Sequence, residues 1–284
     1  MRILTFDIED WYHILDNPQT KGAKQWCAFE SRLERNMEII FNILKTNNQK
    51  ATFFVVGWIA EKHPNIIKRI SDNGFEIGSH TYYHQLVYEQ SPTEFNLDLQ
   101  KSINILEDIT SKKVKSFRAP GFSITSDTLW AFEALIQNKI EFDCSVFPSR
   151  RAHGGFSDFG SNKPSIIQYK GMSIKEFPIN PQGLIFGKEI IYSGGGYFRL
   201  LPYGIIKKFT KKSNYVMTYF HPRDFDSDQP MAPGLSLTRK FKSYYGLAST
   251  EKKLNKWLSE FSFIDLNTAN NQITWENQQI IHLK

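Results

Sequence analysis

Five short motifs follow one another along the 284-residue chain, and each carries side chains able to do chemistry: Thr-Phe-Asp-Ile-Glu-Asp at 5–10, His-Thr-Tyr-Tyr-His at 80–84, Arg-Ala-Pro-Gly at 118–121, Asp-Cys-Ser at 143–145 and Tyr-Phe-His-Pro at 219–222. His80 and His84 are four residues apart, a spacing that one helical turn converts into two imidazoles on one face. Joined to a carboxylate of the first motif, they make a site of two histidines and one acid for a divalent ion, with open positions for water and a carbonyl. Zinc is the default ion for such a nitrogen and oxygen set, and cobalt, nickel or iron also suit it. Arg118 offers a guanidinium that can hold a carboxylate through two N–H groups and keep it ionised. His221, alone after an apolar run, is placed to protonate a leaving group. The combination points to metal-assisted hydrolysis of an amide.

These side chains need elements to hold them. Residues 3–8 read as a strand in which Leu4, Phe6 and Ile8 face one way and Thr5, Asp7 and Glu9 the other. A helix over 30–45, a strand over 51–56, a helix over 58–72 and a strand over 75–79 follow. Ser91-Pro92-Thr93-Glu94 then opens a helix with Ser as N-cap, Pro in the first turn and Glu three residues on, and its apolar positions Phe95, Leu99, Ile103 and Leu106 share a face. A strand over 114–117, a helix over 127–138 and a strand over 141–144 continue the alternation, which predicts a parallel sheet or a barrel. Between 147 and 199 the rhythm breaks: Pro148, Gly154, Gly155, Gly160, Pro164, Pro178 and Pro181 mark loops, with short strands over 166–169 and 174–177. This stretch reads as an insertion over the site within a single 1–284 domain, bordering an elongated groove. A strand over 216–220 and a helix over 250–261 complete the pattern. Parallel α/β sheets carry their sites at the carboxyl ends of strands, where all five motifs fall.

Composition narrows the classes. Forty per cent apolar and 14% aromatic residues support a packed core, not a disordered chain. Cys27 and Cys144 lack CxxC spacing and read as free thiols. A strand beginning at Arg2 leaves no room for a signal peptide, and no apolar run reaches the ~20 residues of a membrane span, so a cytoplasmic address is expected. The net charge of +6 is densest at Lys207, Lys208, Lys211 and Lys212, read as the solvated side of a helix, with contact to anionic lipid or an acidic glycan as the other reading. No motif supports nucleic-acid binding. Gly194-Gly195-Gly196-Tyr197-Phe198-Arg199 lacks the Gly-Lys-Ser/Thr of a phosphate loop and reads as a close backbone approach beside the groove. Tyr82, Phe122, Tyr197 and Phe198, with Trp11 and Tyr12, are candidates for stacking on sugar rings or for the core. His13, His63, His153 and His282 lack partners at matching spacing and read as structural or surface residues.

The order of the five motifs resembles the polysaccharide deacetylases, the NodB-homology group or carbohydrate esterase family four. The Asp-x-Glu-Asp-aromatic start and the Gly-Gly-Gly-Tyr-Phe-Arg segment are similar to the branch associated with bacterial exopolysaccharide loci. The resemblance runs from Arg2 to about Pro230. It implies a distorted (β/α) barrel of seven strands and a metal-dependent N-deacetylase acting on acetamido sugars of a glycan. It also places Asp7 as general base partnered by Arg118, the Gly121 N–H at the oxyanion, His221 as general acid and Asp143 as its partner. The family's metal-binding acid adjoins its base as Asp-Asp, a pattern from which this chain departs. Glu9 matches by strand phase and Asp10 by side-chain type. Alternatives are a deacylase of a small amide or of a nucleotide- or lipid-linked sugar, and a glycan-binding protein without turnover.

Overall fold

The structure is a computed structural model that describes residues 1–15, 17–149, 153–183 and 189–284. Its strands are β1 (Arg2–Ile3), β2 (Thr5–Ile8), β3 (Thr52–Val55), β4 (Glu76–Ser79), β5 (Ser116–Phe117), β6 (Phe142–Asp143), β7 (Ser165–Tyr169), β8 (Met172–Glu176), β9 (Gln182–Gly183), β10 (Glu189–Ile190), β11 (Val216–Met217) and β12 (Ile280–Leu283). Its helices are α1 (Ala23–Trp26), α2 (Leu33–Asn47), α3 (Gly57–Lys62), α4 (Pro64–Asp72), α5 (Pro92–Thr110), α6 (Trp130–Gln137), α7 (Gly195–Leu200), α8 (Tyr203–Lys212), α9 (Leu237–Tyr244), α10 (Thr250–Glu260) and α11 (Leu266–Gln272). The single helix expected over 58–72 is two, α3 and α4. Pro64 opens the second, and His63 before it leaves the helical region (φ −130°, ψ 52°). α5 begins with the Ser91–Glu94 capping box in full.

The alternating βα pattern gives parallel pairing in the order β2-β3-β4-β5-β6-β8, with β7 and β12 continuing the sheet beyond β8. The other edge of the first strand is also paired. β1 pairs in parallel with β11, and the Asp7 N–H donates to Phe220 O at 2.7 Å. With β1 and β2 counted as one interrupted strand, seven parallel positions ring the molecule. Among the described residues no backbone ladder joins β8 to β11. The Asn180 amide spans that seam, donating to Tyr215 O at 2.7 Å and accepting from Met217 N at 2.9 Å. The expected distorted barrel is therefore open in its ladder and bridged there by a side chain.

Strand alternation sorts two cores. Leu4, Phe6, Ile8, Phe53, Val55 and Phe117 face the helices and pack with Met37, Ile40, Leu99 and Leu106. Ile3, Phe54, Phe142, Cys144, Phe177, Ile179, Tyr215 and Met217 form the inner core. Above Ile3 on the same inward phase come Thr5, Asp7 and Glu9; above Met217 come Tyr219 and His221. Part of the expected insertion, residues 150–152 and 184–188, lies outside the described residues.

Candidate active site

Glu9, His80 and His84 converge at the carboxyl ends of β2 and β4, all buried, with one ligand atom from each within 4.8 Å of the others. Glu9 Oε1 lies 3.5 Å from His80 Nε2 and 3.2 Å from His84 Nε2. His80 Nδ1 donates to Arg118 O at 2.6 Å, which fixes the tautomer and leaves Nε2 free to coordinate. His84 Nε2 is buried and, among the described residues, makes no hydrogen bond of proper geometry. A buried lone pair left unspent beside a carboxylate suits a cation. Burial works to raise the Glu9 carboxyl, but His84 and His221, then the contacts with His80 and His84, outweigh it and hold Glu9 well below the usual carboxylate range.

The two histidines do not converge by a helical turn. Residues 80–84 form a loop in which Thr81 (φ 62°) and His84 (φ 52°) adopt the left-handed region, a conformation side-chain-bearing residues enter only when surroundings enforce it. Asp98 of α5 enforces it by accepting from Tyr82 N at 2.5 Å and Tyr83 N at 3.0 Å, while Thr81 Oγ1 accepts from His84 N at 3.0 Å. Asp10, the other candidate ligand, turns away. Its carboxylate accepts from Ser31 Oγ at 2.5 Å, Trp11 N at 2.8 Å and Arg32 N at 3.2 Å, tying the first motif to the start of α2.

Asp7 is buried beside this cluster, and Arg118 Nη1 donates to its Oδ1 at 2.7 Å. The two-point grip expected of Arg118 is absent. Nη1 also donates to Thr5 Oγ1, Nε donates to Cys144 O at 3.3 Å and Nη2 to Thr218 O at 3.5 Å, so this fully buried guanidinium ties several strands together while holding Asp7 at one oxygen.

His221 faces the same cluster, its Nε2 3.4 Å from Glu9 Oε1 and 3.9 Å from Asp7 Oδ2. Its expected partner Asp143 is not there. The partner is Asp224, whose Oδ2 lies 3.2 Å from His221 Nδ1 and accepts from His221 N at 2.9 Å, and whose other oxygen pairs with Arg199. Burial pulls the imidazole down, but Glu9, Asp224 and Asp7 outweigh it and raise it to about 9. Burial also works against Asp224 ionising, yet Arg199 and then His221 hold its carboxyl well below the usual range. Asp143 accepts from Ser145 Oγ at 2.6 Å and shares the wall with Glu176; burial drives both carboxyls up, Glu176 further through Asp143. The sequence signal for Asp224 was its place three residues after His221 with Pro222 between, a cap-like spacing; Arg199 closed the glycine-rich segment.

Asp7, Glu9, His80, His84, Gly121, Phe122 and His221 line one cleft of about 520 Å³. Gly121 (φ 62°) sits in the turn Pro120–Phe122, where a Cβ would meet Leu15, Leu86 and His153. Of the aromatic candidates, Tyr82 is buried with its hydroxyl donated to Glu61, and Phe198 is buried against Phe220 and Trp257, so neither reaches the cleft. Trp11 and Tyr12 are likewise buried, packed on Phe29. Tyr197 lines a neighbouring cleft. The glycine-rich segment makes a close backbone approach: a Cβ on Gly194 would stand 2.0 Å from Tyr219 O. His13 is buried between Trp26 and Trp58, its imidazole lowered to about 3 by burial and by His84.

The fold has counterparts among known structures, and two segments of the chain match protein families. Residues 17–137 match the polysaccharide deacetylase family, and residues 144–271 match a domain of unknown function, DUF3473. Each matched segment is less than half of the chain, and the first is similar to the polysaccharide deacetylases. Asp7 and Glu9 precede the first matched segment, His80, His84, Arg118 and Gly121 fall within it, and Arg199, His221 and Asp224 fall within the second. The chain is 40% identical over 95 residues to a peptidoglycan-N-acetylglucosamine deacetylase of Bacillus cereus, a match covering 33% of this chain and 34% of that protein. A chitooligosaccharide deacetylase of Azorhizobium caulinodans is 30% identical over 82 residues, 28% of this chain and 39% of that one. The chain thus spans little more than a third of these relatives' length. A crystal structure from Mycobacterium smegmatis described as a polysaccharide deacetylase superposes with a TM-score of 0.68 at 16% identity, covering 99% of this chain and 92% of that one. A 4-alpha-glucanotransferase from Thermococcus litoralis superposes with a TM-score of 0.60 at 11% identity, over 100% of this chain and 42% of that one. These two likenesses speak for the fold alone.

Proposed function

We propose that the protein is a metal-dependent N-deacetylase that hydrolyses the acetamide group of an amino sugar in a bacterial glycan or its precursor. One observation carries the reading: a buried carboxylate and two histidines, an Arg-held second carboxylate and a carboxylate-oriented imidazole all meet in one cleft. A divalent ion held by Glu9, His80 and His84, zinc by donor type, would supply Lewis acidity toward the acetamide carbonyl and make a nearby water more acidic.

The chain's own groups do the rest. Asp7, fixed by Arg118, takes the proton of the attacking water. The Gly121 N–H faces the oxyanion that develops on the carbonyl oxygen. His221 delivers its proton to the departing amine, and Asp224, pinned by Arg199, keeps the imidazole charged and its Nε2 turned inward. Acetate and a free amino sugar leave.

A groove supports a glycan substrate. The central cleft shares His13, Leu15 and His84 with a flanking cleft that carries Thr20, Lys21, Gln85 and Glu89. We also read residues 1–284 as one catalytic unit, because its site draws on both matched segments. The cytoplasmic address and the exopolysaccharide branch rest on the sequence; among the described residues no helix is long and apolar enough to cross a membrane.

The test is acetate release from a panel of acetamido sugars, oligomers and sugar nucleotides after chelation and after adding back single divalent ions. Turnover that depends on the ion is the expected result. Full activity in metal-free protein, or no acetate from any acetamido sugar, would remove the reading.

A further inference from the structure

The cleft beside the catalytic one differs from it in chemistry. It measures about 770 Å³ and is lined by Tyr197, Leu200, Leu237, Phe241 and Tyr245, with Thr238 and Lys242 its few polar side chains besides the tyrosine hydroxyls. Its apolar groups stand in the open: Leu237 is 84% exposed, Phe241 56%, Leu200 49% and Tyr245 49%. Leu237, Phe241 and Tyr245 recur every fourth residue along α9 and its cap, a stripe on one helix face. α9 buries none of its residues, so the stripe does not fill the core. A contiguous exposed apolar patch of this kind marks a binding surface.

Charge completes the pattern. Lys242 lines both clefts, and Arg223 and Arg239 line the catalytic one. Among the described residues none of the three has a carboxylate within ion-pair distance, and Arg223 Nη2 is buried without a hydrogen-bond partner. Outward from the acids and histidines, the surface thus passes through unpaired cations to an aliphatic and aromatic trough. Sugar subsites combine ring faces with many hydrogen-bonding side chains. The flanking cleft with Thr20, Lys21, Gln85 and Glu89 has that character, and this trough does not.

We propose that the substrate is an acetamido sugar joined through phosphate to a hydrocarbon chain, with the sugar over Glu9, His80 and His84, the phosphate against Lys242 and the arginines, and the chain along Leu237 and Phe241. The inference rests on the N-deacetylase reading and narrows its substrate class. The reaction that supplies this substrate must then be transfer of a sugar phosphate, or of a sugar, to a lipid phosphate.

The experiment compares three substrates: an acetamido sugar, its 1-phosphate, and its farnesyl diphosphate conjugate. Acetate release and equilibrium binding are measured for each, with the wild type, Leu237→Ser/Phe241→Ser and Lys242→Ala. The conjugate should exceed the free sugar in kcat/KM by at least ~10-fold, from apolar burial alone. The double variant should erase that advantage, with turnover of the tail-free sugar as the control for folding. Lys242→Ala should weaken the 1-phosphate and the conjugate but not the free sugar. Equal kcat/KM for all three substrates overturns the inference and leaves the hydrolase reading standing. Tight binding of the conjugate without acetate release from anything has the opposite meaning: the tail site holds and the hydrolase reading falls. Substrate-free anionic vesicles are the last arm. Sedimentation with them that the double variant abolishes, without any conjugate preference, makes the patch a membrane-docking face and also overturns the inference.

Discussion

At the mouth of the barrel Asp7, Glu9 and Asp224 each face a cation or a histidine, whereas in its wall Asp143 and Glu176 face each other. Both groups are buried, and burial pushes the carboxyls of Glu9, Asp224, Asp143 and Glu176 upward. At the mouth Arg199 and the histidines reverse the push for Glu9 and Asp224; in the wall nothing does. The same side-chain type is thus drawn toward its charged form beside Arg199 and the histidines, and toward its protonated form where two carboxyls share the wall. Position on the strand does not separate the two groups, since Asp143 also ends a strand. The neighbours do.

The sharpest way to break this contrast is at the ion site. His80→Ala and His84→Ala should abolish metal binding and acetate release, since loss of supporting residues alone costs ~10–100-fold in affinity and loss of a ligand should cost more. Elemental analysis of folded protein reads this directly, and retained stoichiometric metal in both variants would count against the site. Next is Asp7→Asn, expected to keep the ion and lose ~10²–10⁴-fold in kcat. Third, Asp224→Asn should lower kcat and move the alkaline limb of the pH–rate profile to lower pH. The His221 imidazole must be protonated to act as acid, and its value of about 9 depends partly on Asp224. Asp143→Asn should leave that limb in place. A limb that moves with Asp143 and not with Asp224 would restore the partner expected from the motif order.

Smaller effects refine the picture. Asp10→Ala should keep the metal but lower stability by ~1–3 kcal/mol, because the buried Trp11 N–H and the half-buried Arg32 N–H lose their acceptor; thermal unfolding and metal content separate it from Glu9→Ala. The least is a pH effect from Glu76 on β4, another carboxyl raised by burial. Burial raises its carboxyl from 4.5 to about 7, although Thr52 Oγ1 and Asn267 N hydrogen-bond to it. A raised folded-state value means a contribution present in full below pH 4.5 and lost as pH rises through about 7. Stability curves across that window should flatten in Glu76→Gln.

Much of the frame was legible because alternation and periodicity are local. The inward phase of Thr5, Asp7 and Glu9 follows from strand period alone, and the α5 cap from four consecutive residues. The joining of side chains across the fold was less legible. His80 and His84 meet through two left-handed residues that Asp98, fourteen positions beyond His84, enforces. Asp143 and Asp224 both follow strands, and only tertiary packing decides which reaches His221. Tyr82 and Phe198 had the right side chain for a sugar platform but lie on the core side of their loop and helix, a matter of rotation that composition does not encode.

The pairing of the first strand with β11 reaches beyond geometry. Asp7 lies on a strand whose second edge is filled by residues 216–220, and one of the joining hydrogen bonds, Thr5 N to Thr218 Oγ1, bridges 213 positions of sequence. During synthesis the first strand emerges early and waits with one flank bare, while ribosome travel, not diffusion, sets when its mate arrives. Until then the base and the acid of the proposed reaction are far apart and the exposed flank invites foreign strands. Competence for the proposed hydrolysis thus appears late and all at once, when His221 has left the exit tunnel, so a nascent chain arrested before that point carries the proposed ion ligands without the proposed proton relay.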